Sequence, residues 1–264
     1  MNLDKIKIFE LAELLDFATL NRQEVKRLTL TQPQLTLREA YLIQDEGISL
    51  RVARGEKTLG FKLGLTSEAK RQQMNLNSPI YGILTDRMSL ENRKLISLRE
   101  SIHPKIEPEI AFFIGREIKA PISLEEALDA CTGVCAAMEI LDSRFVDFKY
   151  FSLPDVIADN CSSAFFVLSN TIKKPSEIDV SNLEMTMCIN NRPVQKAYSG
   201  AISSHPGKSI VQLCDLLGTR GLSVPAGSLV LAGAATQAEP LEPGMEVRLT
   251  VEHLGEVSLS VVQE

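Results

Sequence analysis

Three glutamates have the type and spacing best suited to chemistry in this chain. Glu107 and Glu109 lie two apart in the β-like run Lys105-Ile106-Glu107-Pro108-Glu109-Ile110-Ala111-Phe112-Phe113, so a strand turns both side chains to one face. Pro108 points the other way and donates no hydrogen bond, which places it at a strand edge or a bulge. Glu139 sits in a second run, Ala136-Ala137-Met138-Glu139-Ile140-Leu141-Asp142, with apolar residues on both sides. An acid in such a run is costly to bury unless it is paired or bound to a metal. Three carboxylates converging on one point would make a hard oxygen site suited to Mg²⁺ or Mn²⁺. The pattern leaves two readings open, a metal site and three solvated strand residues.

Other candidates are weighed the same way. Lys62 lies between glycines in Gly60-Phe61-Lys62-Leu63-Gly64 and could pair with an anionic substrate or lie along the surface with its head in water. Arg144 follows the Glu139 run and could fork a substrate carboxylate or pair with Asp142 or Asp147. Asp155 through Ser163 reads as a polar loop before a strand, which suits either a site or simple capping. His103, His205 and His253 show no metal-pair spacing. No phosphate-binding glycine loop, dinucleotide fingerprint or nucleophile elbow occurs.

These residues need a scaffold, and the chain is long enough to build one. Its 264 residues suit one large domain, or a small one plus a medium one, and the 44% hydrophobic content can form a real core. A net charge of −6 argues against nonspecific binding to nucleic acid or an anionic membrane. No apolar run approaches a membrane span, and the N-terminus lacks a signal-peptide layout, so a cytoplasmic location is expected. Five cysteines without a CxxC pair read as buried, reduced thiols.

The expected fold class is α+β. Leu3 to Ala18 reads as a helix. Thr36 and Glu39 form a capping box opening a helix to about Arg54, with Leu37, Tyr41, Ile48 and Val52 as its core stripe. Gly60–Leu65 reads as a short strand, and Ser67 starts a small helix to about Met74. From Tyr81 the pattern is mainly β, with strands near 106–114, 134–141, 164–168, 185–189 and 228–231. A terminal hairpin turns at Leu254-Gly255. Two helices interrupt this part, one from the Ser123/Glu126 capping box to about Thr132, the other from Pro206 to near Gly221. The division is an N-terminal helical region, 1–78, and a β-rich domain, 79–264.

Five segments in this order carry a resemblance. They are Gly60-Phe61-Lys62-Leu63-Gly64-Leu65-Thr66-Ser67, Pro79-Ile80-Tyr81-Gly82-Ile83-Leu84-Thr85-Asp86, Lys105 to Phe112, Met138-Glu139-Ile140-Leu141-Asp142-Ser143-Arg144, and Asp155-Val156-Ile157-Ala158-Asp159-Asn160. Together they resemble the hydratase/decarboxylase family of meta-cleavage pathways, within the fumarylacetoacetate hydrolase superfamily. Glu-Pro-Glu, Leu84-Thr85-Asp86 and Asp147-Phe148-Lys149-Tyr150 resemble the decarboxylase branch more than the hydratase branch. The resemblance implies a mixed β-sheet roll with a few helices. It implies Glu107, Glu109 and Glu139 as ligands of Mg²⁺ or Mn²⁺. It also implies Lys62 as an electrostatic and proton-handling group, Arg144 as a second cation, and Asp86 and Ser162 as substrate-orienting residues. The implied activity is decarboxylation of 2-oxo-3-hexenedioate, a small dicarboxylate 2-oxo acid. Hydration of 2-hydroxypenta-2,4-dienoate and a catalytically silent partner subunit are the alternatives. A homo-oligomer and a complex with the pathway hydratase are the implied assemblies.

Overall fold

The structure, a computed structural model, describes residues 3–66, 78–148 and 152–263. The short helix expected from Ser67 to about Met74 lies outside the described residues.

Helix α1 (Lys5–Asn21) runs on past the expected end at Ala18; its cap is Asp4, whose carboxylate accepts from the Lys7 N–H. Helix α2 (Leu37–Ala53) opens on the expected capping box between Thr36 and Glu39. Its buried face differs from the expected stripe. Ala40, Ile43, Gln44 and Ile48 face inward, while Leu37 and Val52 are exposed. The face is turned by about a quarter of the helix circumference, because α2 packs between α1 and a further helix, α4 (Leu153–Ala158), in a stretch whose sequence reads as a polar loop. Ile8, Leu11 and Leu15 of α1, Ala40 and Ile43 of α2, and Val156 and Ile157 of α4 form one cluster with Phe145 and Cys161.

Among the described residues, the strands form two mixed sheets. The larger has eight strands. Its order is β2 (Ile80–Thr85), β1 (Thr58–Gly64), β10 (Leu229–Ala234), β5 (Lys105–Ile114), β6 (Cys131–Leu141), β7 (Ser163–Leu168) and β3 (Ser89–Leu90), with β11 (Glu239–Pro240) beside the start of β5. Strand β1 comes from the 1–78 segment and pairs with β2 and β10, so the sheet draws on both segments. The smaller sheet has five strands, β4 (Lys94–Ser97), β13 (Gly255–Val262), β12 (Glu246–Val251), β8 (Glu184–Ile189) and β9 (Arg192–Tyr198). Strands β12 and β13 are the expected hairpin. Helix α3 (Leu124–Asp129) starts at the Ser123 capping box but stops before Thr132, because β6 takes over at Cys131. Helix α5 (Gly207–Gly218) begins after Pro206 and ends before Gly221.

Strands β5 and β6 are buried on both faces, which explains their nearly continuous apolar runs. Ile106, Ile110 and Phe112, with Val134, Ala136, Met138 and Ile140, pack into the main core with Val247, Leu249, Val257 and Leu259 of the smaller sheet. Ala111, Cys135 and Ala137 face the other way and meet Leu229, Leu231, Phe166 and Leu84. Leu84 belongs to one edge strand and Phe166 lies beside the other edge, so the larger sheet curls on itself into a roll. The interior of that roll carries the glutamates. The fold is α+β, as expected.

Candidate active site

Strand register brings the three glutamates together. Glu107 pairs directly with Glu139 across β5 and β6, and Glu109 pairs with Ala137 one step along the same face. Directly opposed side chains stand about 5 Å apart at Cβ, and the diagonal neighbour is also within reach. One carboxylate oxygen from each of Glu107, Glu109 and Glu139 lies within 4.8 Å of the others. Pro108 sits where β5 changes neighbour, from β10, which ends its pairing at Glu109, to β11, which begins at Ile106. A residue without an N–H fits that break in the ladder.

Glu109 and Glu139 are fully buried, and Glu107 is half-buried. Glu109 Oε2 accepts from the Gly233 N–H at 2.9 Å, whereas its Oε1 is buried without a hydrogen-bond partner. Gly233 has φ +98°, and a Cβ there would fall 2.4 Å from Thr66 Cγ2, so only glycine brings this amide to Glu109. Burial and the charges of Glu139 and Glu107 push the Glu109 carboxyl well above its ordinary range. An orphaned buried oxygen and mutual repulsion are the marks of a site shaped for a cation. Three carboxylates form a hard donor set, and they fit Mg²⁺ or Mn²⁺.

Lys62 is buried, contrary to the surface alternative, and its Nζ lies 3.1 Å from Glu139 Oε2. Burial pulls its pKa down, but the carboxylates of Glu139, Glu107 and Glu109 outweigh that and raise it, so the ammonium is kept. The other oxygen, Glu139 Oε1, accepts from Ser163 Oγ at 3.1 Å. Glu139 is thus held from both sides.

The remaining expected residues are placed differently. Ser162 is buried beside Ser163, but its hydroxyl is 3.4 Å from Asp159 Oδ2 rather than on the triad. Ser163 takes the contact because a register shift between the Ile140 and Leu141 pairings leaves Ala164 as an extra residue in β7. No period-two pattern would mark it. Arg144 pairs neither with Asp147 nor with the Asp142 carboxylate. Its guanidinium donates to the Asp159 carboxylate and carbonyl, to Asp142 O at 2.6 Å and to Ser163 O at 3.4 Å. Burial pushes Asp159 up to about 6 even beside that cation. Arg144 therefore ties the end of β6 to the segment that carries Ser163. Asp86 lies four residues past Gly82, the partner of Lys62, which is about 13 Å along the strand. Its carboxylate accepts from the Lys57 N–H at 2.9 Å, and it joins the start of β1 to the end of β2.

Asn160, Cys161 and Ser162 form a left-handed turn, with φ of +47°, +53° and +57°. The Asn160 amide bonds both Ile83 N–H and Ile83 C=O, at 2.8 and 2.9 Å. A Cβ at Gly82 would stand 2.7 Å from Asn160 O, so the turn rests directly on the β2 backbone. The Cys161 thiol donates to Tyr81 O, and burial pushes it up to about 12. All five cysteines are free, but Cys131 and Cys188 are only half-buried.

Among the described residues, no helix is long and apolar enough to cross a membrane. The chain is 43% identical to a 4-oxalocrotonate decarboxylase of Pseudomonas sp over 98% of its own length and 100% of that protein. It is 31% identical to a 2-hydroxyhexa-2,4-dienoate hydratase of Comamonas testosteroni, over 89% and 90% of the two chains. The solved structure of the 4-oxalocrotonate decarboxylase from Pseudomonas putida G7, complexed with magnesium and adipate, superimposes with a TM-score of 0.96 at 34% identity and covers 99% of both chains. The family model for the fumarylacetoacetate hydrolase C-terminal region matches residues 59–262. With the β-roll, the three-glutamate centre and this match in hand, the chain belongs to the fumarylacetoacetate hydrolase family.

Proposed function

We propose that the protein is a decarboxylase dependent on Mg²⁺ or Mn²⁺ that converts 2-oxo-3-hexenedioate (4-oxalocrotonate) into 2-hydroxypenta-2,4-dienoate and CO₂. The observation that carries this reading is the triad with Lys62 on Glu139, in a chain that aligns end to end with a decarboxylase of that substrate. Glu107, Glu109 and Glu139 would hold the ion. When bound, it supplies Lewis-acid stabilisation for negative charge gathering on the substrate's C2 oxygen.

The chain's own residues do the rest. In the reaction the C5–C6 bond breaks, C6 leaves as CO₂, and the electron pair passes through C4 and C3 to the C2 oxygen. Lys62 Nζ offsets that charge from beside Glu139 and delivers the proton that completes the enol. Ser163 and Lys62 fix both oxygens of Glu139, so that ligand is oriented before substrate arrives. Arg144 and Asp159 fix the backbone of Ser163 and are positioning residues.

The hydratase reading draws on the relative from Comamonas testosteroni. It uses the same centre but adds water to a dienoate and releases no CO₂. Assembly into a homo-oligomer, or with the hydratase that takes up the product, belongs to this proposal. Exposed Ile6, Phe9, Phe17 and Leu20 give α1 an apolar face for it. The deciding assay follows CO₂ release from 2-oxo-3-hexenedioate with Mg²⁺, Mn²⁺ or EDTA, beside a parallel assay with 2-hydroxypenta-2,4-dienoate. Metal-dependent CO₂ release is expected. Metal-dependent loss of the dienoate without CO₂ from the diacid would make the protein a hydratase, and inactivity with both would point to the silent partner subunit.

A further inference from the structure

We infer that Lys105 reads the distal carboxylate of the substrate. This inference rests on the decarboxylase reading and adds a residue to it. A six-carbon 2-oxo diacid brings a second negative charge into a centre that already holds three carboxylates. Two cations were expected to meet it, but both have other partners. Lys62 is ion-paired with Glu139, and the Arg144 guanidinium donates to Asp159, Asp142 and Ser163.

Lys105 is placed for the task. It lies on β5 two residues before Glu107, so its side chain leaves the strand on the same face as Glu107 and Glu109. It is half-buried, and Leu141 faces it on β6 where Glu139 faces Glu107. Two residues of strand span about 7 Å. The five carbon–carbon bonds of an extended six-carbon diacid, each about 1.5 Å, span about 6 Å once zigzag is allowed for. A substrate with its 2-oxo acid end at the triad and its chain directed along β5 thus brings its far carboxylate to Lys105.

The ammonium of Lys105 faces a ring rather than a carboxylate. Its Nζ stands 4.1 Å from the centroid of Phe148. Phe148 and the preceding Asp147 are both left-handed, with φ of +48° and +63°. Such backbone is costly for residues with side chains and persists where the surroundings hold it. Phe148 fixes the lysine and leaves its charge available to an incoming anion.

The contact acts on binding rather than on the chemical step. The distal carboxylate loses its charge as it becomes CO₂, so Lys105 holds substrate more firmly than it holds the transition state. It selects the dianion and lets the monoanionic product go.

The test uses two ligands that lack the 3-ene, 2-oxoadipate and 2-oxohexanoate, titrated calorimetrically into the Mg²⁺-loaded protein. The wild type is expected to bind the diacid about 10- to 100-fold more tightly than the monoacid, the range for a hydrogen bond to a charged group. Lys105→Met should erase that preference, and Lys105→Arg should keep it. A Lys105→Met protein that retains the preference, or a wild type that shows none, overturns the assignment. Parallel measurement of CO₂ release separates the two claims. Release without any diacid preference sinks Lys105 alone. A preference that Lys105→Met erases, without CO₂ release, supports Lys105 and sinks the decarboxylase reading.

Discussion

Replacing Glu109 with glutamine should make the metal-free protein more stable and the metal-loaded protein less so. In the wild type, the Glu109 carboxyl lies within 4.8 Å of two other carboxylates. At an effective dielectric constant of about 20, each such like-charge pair costs about 3 kcal/mol. Lys62 offsets part of this, leaving a net of about 3 kcal/mol once all three glutamates are ionised. At about 2–4 °C per kcal/mol for a chain of this size, Glu109→Gln should raise the metal-free Tm by roughly 6–12 °C at pH 8. The pH dependence has a definite sign. The carboxyl is raised above its ordinary value by burial and by its neighbours. Its stabilising protonated form is therefore fully present below the unfolded value of about 4.5 and is lost as pH rises through the folded value. Wild-type stability from this group thus falls with pH across that window, by up to about 1.4 kcal/mol per unit, and the glutamine variant lacks the fall. Added Mg²⁺ should reverse the order. It raises the wild-type Tm, whereas the variant loses a charged ligand and more than about 100-fold in affinity, the upper end for loss of a mere supporting contact. Differential scanning fluorimetry at pH 5 and pH 8, with Mg²⁺ and with EDTA, reads all four states. A variant no more stable than wild type in EDTA at pH 8, and equally stabilised by Mg²⁺, would refute the charge argument.

Three further outcomes follow from the same geometry. Lys62→Met should lose about 10²- to 10⁴-fold in turnover while keeping Mg²⁺, because Ser163 still anchors Glu139 and the repulsion from an ammonium 3.1 Å away has gone; unchanged turnover in a metal-loaded variant would contradict the proton-delivering role. Ser163→Ala should weaken Mg²⁺ binding about 10- to 100-fold, whereas Ser162→Ala should leave it nearly unchanged, and equal effects would show that the Ser163–Glu139 contact is not the one that counts. Arg144→Met should cost about 3–5 kcal/mol in chemical denaturation by leaving the buried Asp159 charge unpaired. Burial pushes Asp159 up to about 6 with Arg144 in place, so without Arg144 the loss should deepen as pH rises past that value, and a pH-independent loss would contradict the pairing.

The glutamate centre was legible in the sequence because a strand's period of two is rigid. Glu107 and Glu109 had to share a face, and an acid as enclosed by apolar residues as Glu139 needed a partner. The two capping boxes likewise announced the starts of α2 and α3. The failures have physical causes of the same kind. The buried face of α2 was displaced because α4, a short helix in a polar stretch, competes for it, and sequence periodicity does not say which neighbour arrives. Strand β9 has no signal in the sequence, because its exposed run, Arg192 to Tyr198, lacks apolar alternation. Ser163 was hidden by one extra residue in β7, which inverts the facing of everything before it. Arg144 and Asp86 look available in the sequence, which does not reveal that Asp159 and the carbonyls of Asp142 and Ser163 engage the first and the Lys57 amide the second.

The left-handed turn at Asn160–Ser162 links the centre to local opening of the chain. Cys161 and Ser162 each cost about 1–2 kcal/mol in this region, which Asn160 visits readily, so the turn stores about 2–4 kcal/mol, held down by the Asn160 bonds to Ile83 and the Arg144 bonds to Asp159. Release of those bonds would let the turn unwind, drawing Ser163 away from Glu139. Binding of the ion and closure of the turn are therefore linked equilibria, and the ion protects the closed form by the factor 1 + [M]/Kd. The Asp142 N–H, which donates to Ser162 O at 2.8 Å, lies across that opening. Its rate of exchange with solvent deuterium becomes a gauge of metal occupancy that requires no substrate and no turnover.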